Sequence, residues 1–246
     1  MKGIILAGGY ATRLHPLTEN QPKHLLPIQG KPMIEYLFEK LQTLPIDEYY
    51  LVTNAKFATH FQKWAEQSQW ADDIIIVNDQ TTSNDDRLGS IGDILYAIDT
   101  YNIIDDFFII GADNITDFDF QQLYDEFEQK KKPIVGAYDV GDLSQVSQFG
   151  QITIDDSSKI TSFVEKPENP SSTLISTLFY MIPHTSLPII RSLVEEGNSD
   201  KAGFLIKRLI DETDVYSVVH KGYWFDIGTP QMYKQTQDFF EKKGKL

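Results

Sequence analysis

The 246-residue chain contains no cysteine. That excludes disulfides, thiol nucleophiles and zinc held by thiolates, and it fits a reducing compartment. No apolar run approaches the length of a membrane span. The N-terminal stretch MKGIILAGG has one positive charge and a short apolar run. It is too short for a secretory core and ends in no small-residue cleavage pattern, so a soluble, cytoplasmic protein with no membrane partner is expected. Positive charge is scarce: 22 Lys and Arg stand against 36 Asp and Glu, a net charge of -14. This balance disfavours non-specific binding to nucleic acid or anionic lipid. It leaves room for a small anionic ligand, which answers to a few local cations. Internal repeats, low-complexity segments and Gly/Ser/Pro-rich linkers are also lacking, so one domain over residues 1–246 is expected. The five histidines show no metal-ligand spacing and read as structural or solvated.

What is present is an alternation of apolar β-branched runs with helical patterns. Residues 2–7, 49–54, 74–77 and 107–110 read as buried strands. Residues 31–44, 57–67 and 90–101 read as helices, with Met33, Leu37 and Leu41 on one face of the first and Ile34, Phe38 and Leu44 close by. Such alternation predicts an α/β, doubly wound, Rossmann-like sheet that is mostly parallel. In the second half, residues 133–140, 150–155, 160–166 and 172–182 read as strands with few helices between them, which predicts antiparallel additions to a mixed sheet. Residues 184–196 and 229–243 read as later helices. Apolar residues on these last helices suit either core or a homo-oligomer interface.

The first strand, GIILA, breaks into Gly8-Gly9 and is followed by Thr12 and Arg13. Glycines let the backbone turn tightly and approach a ligand closely. Consecutive N–H groups in such a turn make an anion-binding concavity, and the planar fork of arginine suits phosphate oxygens. The spacing matches neither the dinucleotide fingerprint G-x-G-x-x-G nor the phosphate loop ending in Gly-Lys-Ser/Thr. Pro22 and Pro27 then bracket Lys23 and restrict the backbone around it. A lysine is usually solvated surface, but a fixed ammonium here would meet charge developing on a phosphate.

These residues, GIILAGGYATRLHPLTENQPKHLLPI, resemble the signature of the sugar-1-phosphate nucleotidylyltransferases, including glucose-1-phosphate thymidylyltransferases. The match runs through Gly8, Gly9, Thr12, Arg13, Leu14, Pro16, Leu17, Thr18, Pro22, Lys23, Leu25, Leu26 and Pro27. Three later stretches fit the same family in order: IIGADNI, with Asp113 and Asn114; FVEKP, with Glu165 and Lys166; and GYWFDIGTP, with Trp224, Asp226 and Gly228. The resemblance spans nearly the whole chain and is to the short form, without a C-terminal left-handed β-helix.

The resemblance implies a nucleotide-diphospho-sugar transferase-like fold and a reaction. A sugar-1-phosphate oxygen attacks the α-phosphorus of an NTP, and pyrophosphate leaves. The phosphate nucleophile is already anionic, so positioning and charge neutralisation carry the catalysis. By the same resemblance Arg13 and Lys23 are the catalytic cations. Leu6, Ala7, Gly8, Gly9, Thr12, Asn78 and Gly89 join them in binding the nucleotide. Asn114, Gly150, Glu165, Lys166 and Thr177 bind the sugar phosphate. Asp113 and Asp226, far apart in sequence, are brought together to hold Mg²⁺, a hard ion suited to one or two carboxylates plus phosphates.

Two segments depart from the family pattern. In residues 78–97, where the base is recognised, LGSIGD places Gly89 but Arg87 and Asp93 fit no usual pattern. Asn78, Gln80 and Thr82 are the candidates there for a pyrimidine edge, and dTTP or UTP is the favoured donor. Thr177 stands where glycine is usual, so the acceptor is less determined than the reaction. A cytidylyltransferase for an alditol phosphate or phosphocholine, and a non-catalytic nucleotide-binding regulator, are the competing readings.

Overall fold

The strand-and-helix alternation emerges in a computed structural model that describes residues 1–244. Strand β1 (Lys2–Leu6) runs into the glycine turn, and short 3-10 turns at Thr12–Leu14 and Lys23–Leu25 follow. A small hairpin of β2 (Pro27–Ile28) and β3 (Lys31–Pro32) leads into α1 (Met33–Leu41), whose Met33, Ile34, Leu37, Phe38 and Leu41 are all buried. Then come β4 (Tyr49–Thr53), α2 (Ala58–Gln67), β5 (Ile74–Asn78), α3 (Ser90–Tyr101) and β6 (Phe107–Gly111).

The second half holds more helix than its sequence reading expected. After β7 (Asn114–Thr116) comes α4 (Phe120–Lys130), capped by Asp119, whose carboxylate accepts from the Gln121 N–H. Strand β8 (Ile134–Asp139), a single helical turn α5 (Leu143–Val146), β9 (Gly150–Ile154), β10 (Ile160–Glu165) and β11 (Leu174–Ile182) follow. The chain continues through α6 (Leu187–Glu195), α7 (Ala202–Glu212), β12 (Tyr216–His220), β13 (Trp224–Asp226) and α8 (Pro230–Lys243). Helices α4 and α7 bury Phe120, Leu123 and Phe127, and Leu205, Ile206 and Leu209, at helical spacing. No helix among the described residues is long and apolar enough to cross a membrane.

The main sheet runs β10-β9-β11-β6-β1-β4-β5, with β8 paired to β11 and β12 to β8. Strands β6, β1, β4 and β5 are mutually parallel. Strand β11 lies antiparallel to β6, β8 and β9, so the mixed, mostly parallel core with antiparallel additions is as expected. Side chains alternate between two helical layers. Ile5 packs with α1, α2 and α4 on one face, while Ile4 and Leu6 pack with α3, α6 and α7 on the other. A third, smaller core of Ile28, Met33, Ile115 and Ile227 ties the β2–β3 hairpin to the antiparallel pair β7–β13.

Strand β1 is the point where the parallel sheet changes direction: β4 and β5 lie to one side of it and β6 to the other. A crevice opens outside the strand ends at such a switch point, because the connections leave on opposite faces. The segments after β1, β5 and β6 therefore converge there.

Candidate functional site

The turn after β1, the segment at Lys23 and the loop from β5 into α3 form, with Asp200, a cleft of about 320 Å³. The turn after β1 contributes Gly8, Gly9, Tyr10, Ala11, Thr12 and Arg13, and Lys23 stands beside it. The loop after β5 and the start of α3 contribute Asp79, Asn84, Arg87, Gly89, Ser90 and Asp93. The glycine turn is held by Asn54, whose Nδ2 donates to the Gly8 carbonyl at 2.9 Å. Arg13 is exposed and reaches over Gly228, where its Nη2 lies 3.1 Å from the position a Cβ would take. Its guanidinium pairs with no carboxylate among the described residues.

Lys23 is fastened at the cleft floor. Its Nζ donates to Asp113 Oδ2 at 2.5 Å and to the carbonyl of Ile227 at 3.3 Å. The other carboxylate oxygen of Asp113 accepts from Asn114 Nδ2 at 3.1 Å. Antiparallel pairing sets Asp226 opposite Asn114, so the Asp113 and Asp226 carboxyl groups come together across 113 residues of sequence. Desolvation opposes charge on Asp113, but the ammonium of Lys23 holds its carboxyl below the usual range. Desolvation and then the charge of Asp113 push Asp226 above that range. Beneath them His24 is buried, and burial followed by the charge of Lys23 lowers it to about 3, so it is a neutral packing residue near pH 7.

Asp226 also lines a second cleft, of about 220 Å³, with Tyr138, Phe149, Trp224 and Gln145. Trp224 packs against both Tyr138 and Phe149, with ring centroids 5.5 and 5.4 Å apart. Of the sugar-side residues expected from sequence, none lines this cleft, and Gly150, Glu165 and Lys166 lie next to its Phe149. Gly150 and Glu165 are cross-strand partners, and the Lys166 N–H donates to the Phe149 carbonyl. Gly150 is needed there because a Cβ would fall 2.6 Å from the Phe163 ring.

Other expected residues serve the scaffold. Leu6 and Ala7 are buried at the end of β1, with backbone bonds to Ala112 and Val52. Asn78 turns onto its own loop, where its Oδ1 accepts from the Gln80 N–H. Thr82 donates its N–H and hydroxyl to Asp86. Thr177, expected beside the sugar, is 1% exposed, and its hydroxyl donates to the Gly136 carbonyl at 2.6 Å, so it faces backbone and not a cleft. Gly89 does line the first cleft, but it also has a positive φ of 82° and lies against the backbone of Ser199 and Asp200. The carbonyls of those two residues accept from the N–H groups of Ser90 and Ile91, so the N-terminus of α3 is already capped by protein.

Sequence reasoning passed over Asp79 and noted Asp93 only as a departure from the family pattern. Their Oδ2 atoms crowd Gly8, at 3.4 and 2.7 Å from the position a Cβ would take. Gly8 is thus glycine partly to admit Asp93. The signal was available, since an acidic side chain stood at the C-terminal end of one strand and another in the first turn of the next helix.

The chain matches the nucleotidyl transferase family over residues 2–243. It is 32% identical over 235 residues to a Sulfolobus acidocaldarius protein provisionally named a mannose-1-phosphate guanyltransferase, covering 95% of this chain and 61% of that one. It is 30% identical over 239 residues to the bifunctional protein GlmU of Methanocaldococcus jannaschii, covering 94% and 52%. The chain therefore spans between half and two thirds of the length of these curated relatives. Among solved structures, a Bacillus anthracis protein provisionally named a glucose-1-phosphate thymidylyltransferase, crystallised with sucrose, superimposes with a TM-score of 0.84 at 25% identity. That superposition covers 97% of this chain and 94% of the other.

Proposed function

The chain belongs to the nucleotidyl transferase family, and from that premise we propose that it moves a nucleoside monophosphate from an NTP to a sugar-1-phosphate, releasing pyrophosphate. The observation that carries this reading is the placement of Lys23, Asp113 and Asp226 between two clefts. Lys23 lines the first and binds Asp113, and Asp226 lines the second. A triphosphate in the first cleft and a sugar phosphate in the second would present their phosphates to one another there.

The nucleophile is an oxygen of the sugar phosphate. Its bond forms to the α-phosphorus as the bond from that phosphorus to the bridging oxygen breaks, and the electron pair leaves with pyrophosphate. No proton has to move, so no general base is required. Arg13 would hold the leaving phosphates with its fork, and Lys23 would meet the charge on the α-phosphate. The Gly8-Gly9 turn lets backbone approach the chain of phosphates.

Asp113 and Asp226 suit Mg²⁺: two carboxyl groups side by side, Asp226 raised first by burial and then by the charge of Asp113, call for a cation. Bound there, the ion would neutralise phosphate charge and align the reacting groups. Among donors we favour UTP or dTTP, on the resemblance to thymidylyltransferases. The named relatives differ in base and sugar, so the general reaction is what they have in common. The absence of cysteine agrees with a cytoplasmic setting.

The test is pyrophosphate release with Mg²⁺ across the common NTPs and a panel of glucose-1-phosphate, mannose-1-phosphate, alditol phosphates and phosphocholine. Turnover with a sugar-1-phosphate supports the reading. Turnover confined to CTP with an alditol phosphate or phosphocholine replaces it with a non-sugar acceptor. NTP binding with no turnover on any acceptor sinks it.

A further inference from the structure

Strand β13 carries Asp226, and it has little to hold it. It is three residues long and pairs with β7 alone among the described residues. Its register sets Trp224 on Thr116, Phe225 on Ile115 and Asp226 on Asn114. The Ile227 N–H then donates to the Asp113 carbonyl at 3.0 Å. This register is what brings Asp226 to Asp113. A slip of one residue would turn every β13 side chain to the opposite face and take Asp226 away. So short a ladder leaves the register to the way the strand is entered.

The entry is locked at Tyr223. Its carbonyl accepts from the Thr116 hydroxyl at 2.9 Å and from the Asp117 N–H at 3.2 Å. Its own N–H donates to Asp117 Oδ1 at 2.6 Å. The same oxygen accepts from His220 Nε2 at 2.6 Å, which ties in the end of β12. Gly222 completes the turn. A Cβ there would fall 2.5 Å from Asp117 Oδ2 and 2.6 Å from its Cγ, so the carboxylate fills the space a side chain would need. The Gly222 carbonyl accepts from the hydroxyl of Tyr138, on β8 of the main sheet, at 3.1 Å. Asp117 lines neither cleft. Its carboxylate is engaged by the turn.

Building on the transferase reading, we propose that Asp117 is a positioning residue for Asp226. Its carboxylate, with Gly222 making room for it, fixes Tyr223 and through it the register of β13. Asp113 follows β6 directly and is placed by the main sheet. Asp226 is delivered to it by a separate two-stranded sheet, and Asp117 governs that delivery. The second carboxylate of the cation site thus depends on a side chain outside both clefts.

The test uses the full chain and the variants Asp117→Ala, Asp117→Asn and Gly222→Ala. Mn²⁺ alone, titrated by electron paramagnetic resonance, reads the carboxylate pair without any substrate. Hydrogen exchange reads the β13 amides. Asp117→Ala is expected to weaken Mn²⁺ binding by about tenfold or more, as loss of a group that orients a ligand does. Exchange should quicken at β13 and stay as in wild type at β1 and β6. Asp117→Asn keeps an oxygen for the Tyr223 N–H and should bind Mn²⁺ nearly as wild type does. Gly222→Ala displaces the carboxylate without removing it and should follow Asp117→Ala. In pyrophosphate release, excess Mg²⁺ should restore the Asp117→Ala rate, which a general loss of folding would not allow. Wild-type Mn²⁺ affinity in Asp117→Ala overturns the proposal, and so does a wild-type chain with no Mn²⁺ site. Asp117→Asn that binds as poorly as Asp117→Ala assigns the effect to charge and overturns it equally. If Asp117→Ala does not fold, wild-type affinity in Gly222→Ala is the overturning result. Mn²⁺ binding that falls in Asp117→Ala, with no wild-type turnover on any acceptor, leaves the positioning role standing and removes the transferase reading. Turnover by a wild type whose Mn²⁺ affinity ignores these variants does the reverse.

Discussion

Lys23 Nζ and Asp113 Oδ2 stand 2.5 Å apart, joined across 90 positions of sequence, with only 12% of the lysine side chain exposed. The pair pins a cationic side chain that lines the first cleft and bonds its acidic floor. An ammonium held in this way is positioned before substrate arrives, which is what electrostatic stabilisation of a phosphorus centre requires.

Replacing Lys23 by Ala should therefore lower kcat by about 10²–10³-fold while weakening NTP binding by roughly tenfold or less. Steady-state pyrophosphate release and equilibrium NTP binding measure the two separately, and a thermal melt confirms that the variant is folded. Near-wild-type turnover would remove Lys23 from the chemistry.

Two glycines of the same cleft should behave oppositely. A Cβ on Gly89 would lie 2.4 Å from Asp200 Cα and 2.6 Å from the Ser199 carbonyl, at a φ of +82°. Gly89→Ala should cost about 2–4 kcal/mol, from overpacking plus left-handed strain. Gly9 has nothing within 4 Å of a Cβ. Gly9→Ala should melt as wild type does and lose NTP affinity if the backbone there approaches the phosphates. Denaturant melts and NTP titrations distinguish the two.

The Asp79–Asp93 pair gives stability a pH dependence of known sign. Asp93 is raised from 3.8 to about 8, so the folded state holds a proton that the unfolded chain releases near pH 4. Its contribution is fully present below pH 4 and is lost as pH rises toward 8. Asp93→Asn has no proton to lose. The variant should gain on wild type by roughly 4 kcal/mol, or about 8–16 °C in Tm, between pH 5 and pH 9. A Tm difference that stays flat over that range would show that the pair does not share a proton.

Thr177 offers a check on where the acceptor is chosen. Its hydroxyl donates to the Gly136 carbonyl inside the sheet. Thr177→Val should cost about 1–3 kcal/mol, for an unpaired buried carbonyl, and leave the preference among sugar phosphates unchanged. A shifted acceptor preference, measured by kcat/KM across the panel, would return Thr177 to the site.

Much of this was legible in the linear chain. Short-range physics wrote it there: the apolar period of α1, the strand broken by Gly8-Gly9, and the prolines around Lys23 are all local constraints on backbone and burial. The helices α4 and α7 were not read from the sequence, although Phe120, Leu123 and Phe127 recur at helical spacing. The site's dependence on distant pairing was not legible. Only the sheet order brings Asp113 to Lys23 and β13 to β7, and no periodicity encodes which strands become neighbours. For the same reason Thr177 looked like a sugar contact in sequence, and only the β11–β8 pairing turned its hydroxyl to Gly136. The sequence by itself determined the family, the alternating architecture and the cationic pair on the glycine turn, because each rests on residues close together in the chain. The tertiary structure alone decided that Asp79 and Asp93 share a wall of the cleft and leave one oxygen without a partner, because burial and hydrogen-bond completion depend on the whole packed fold.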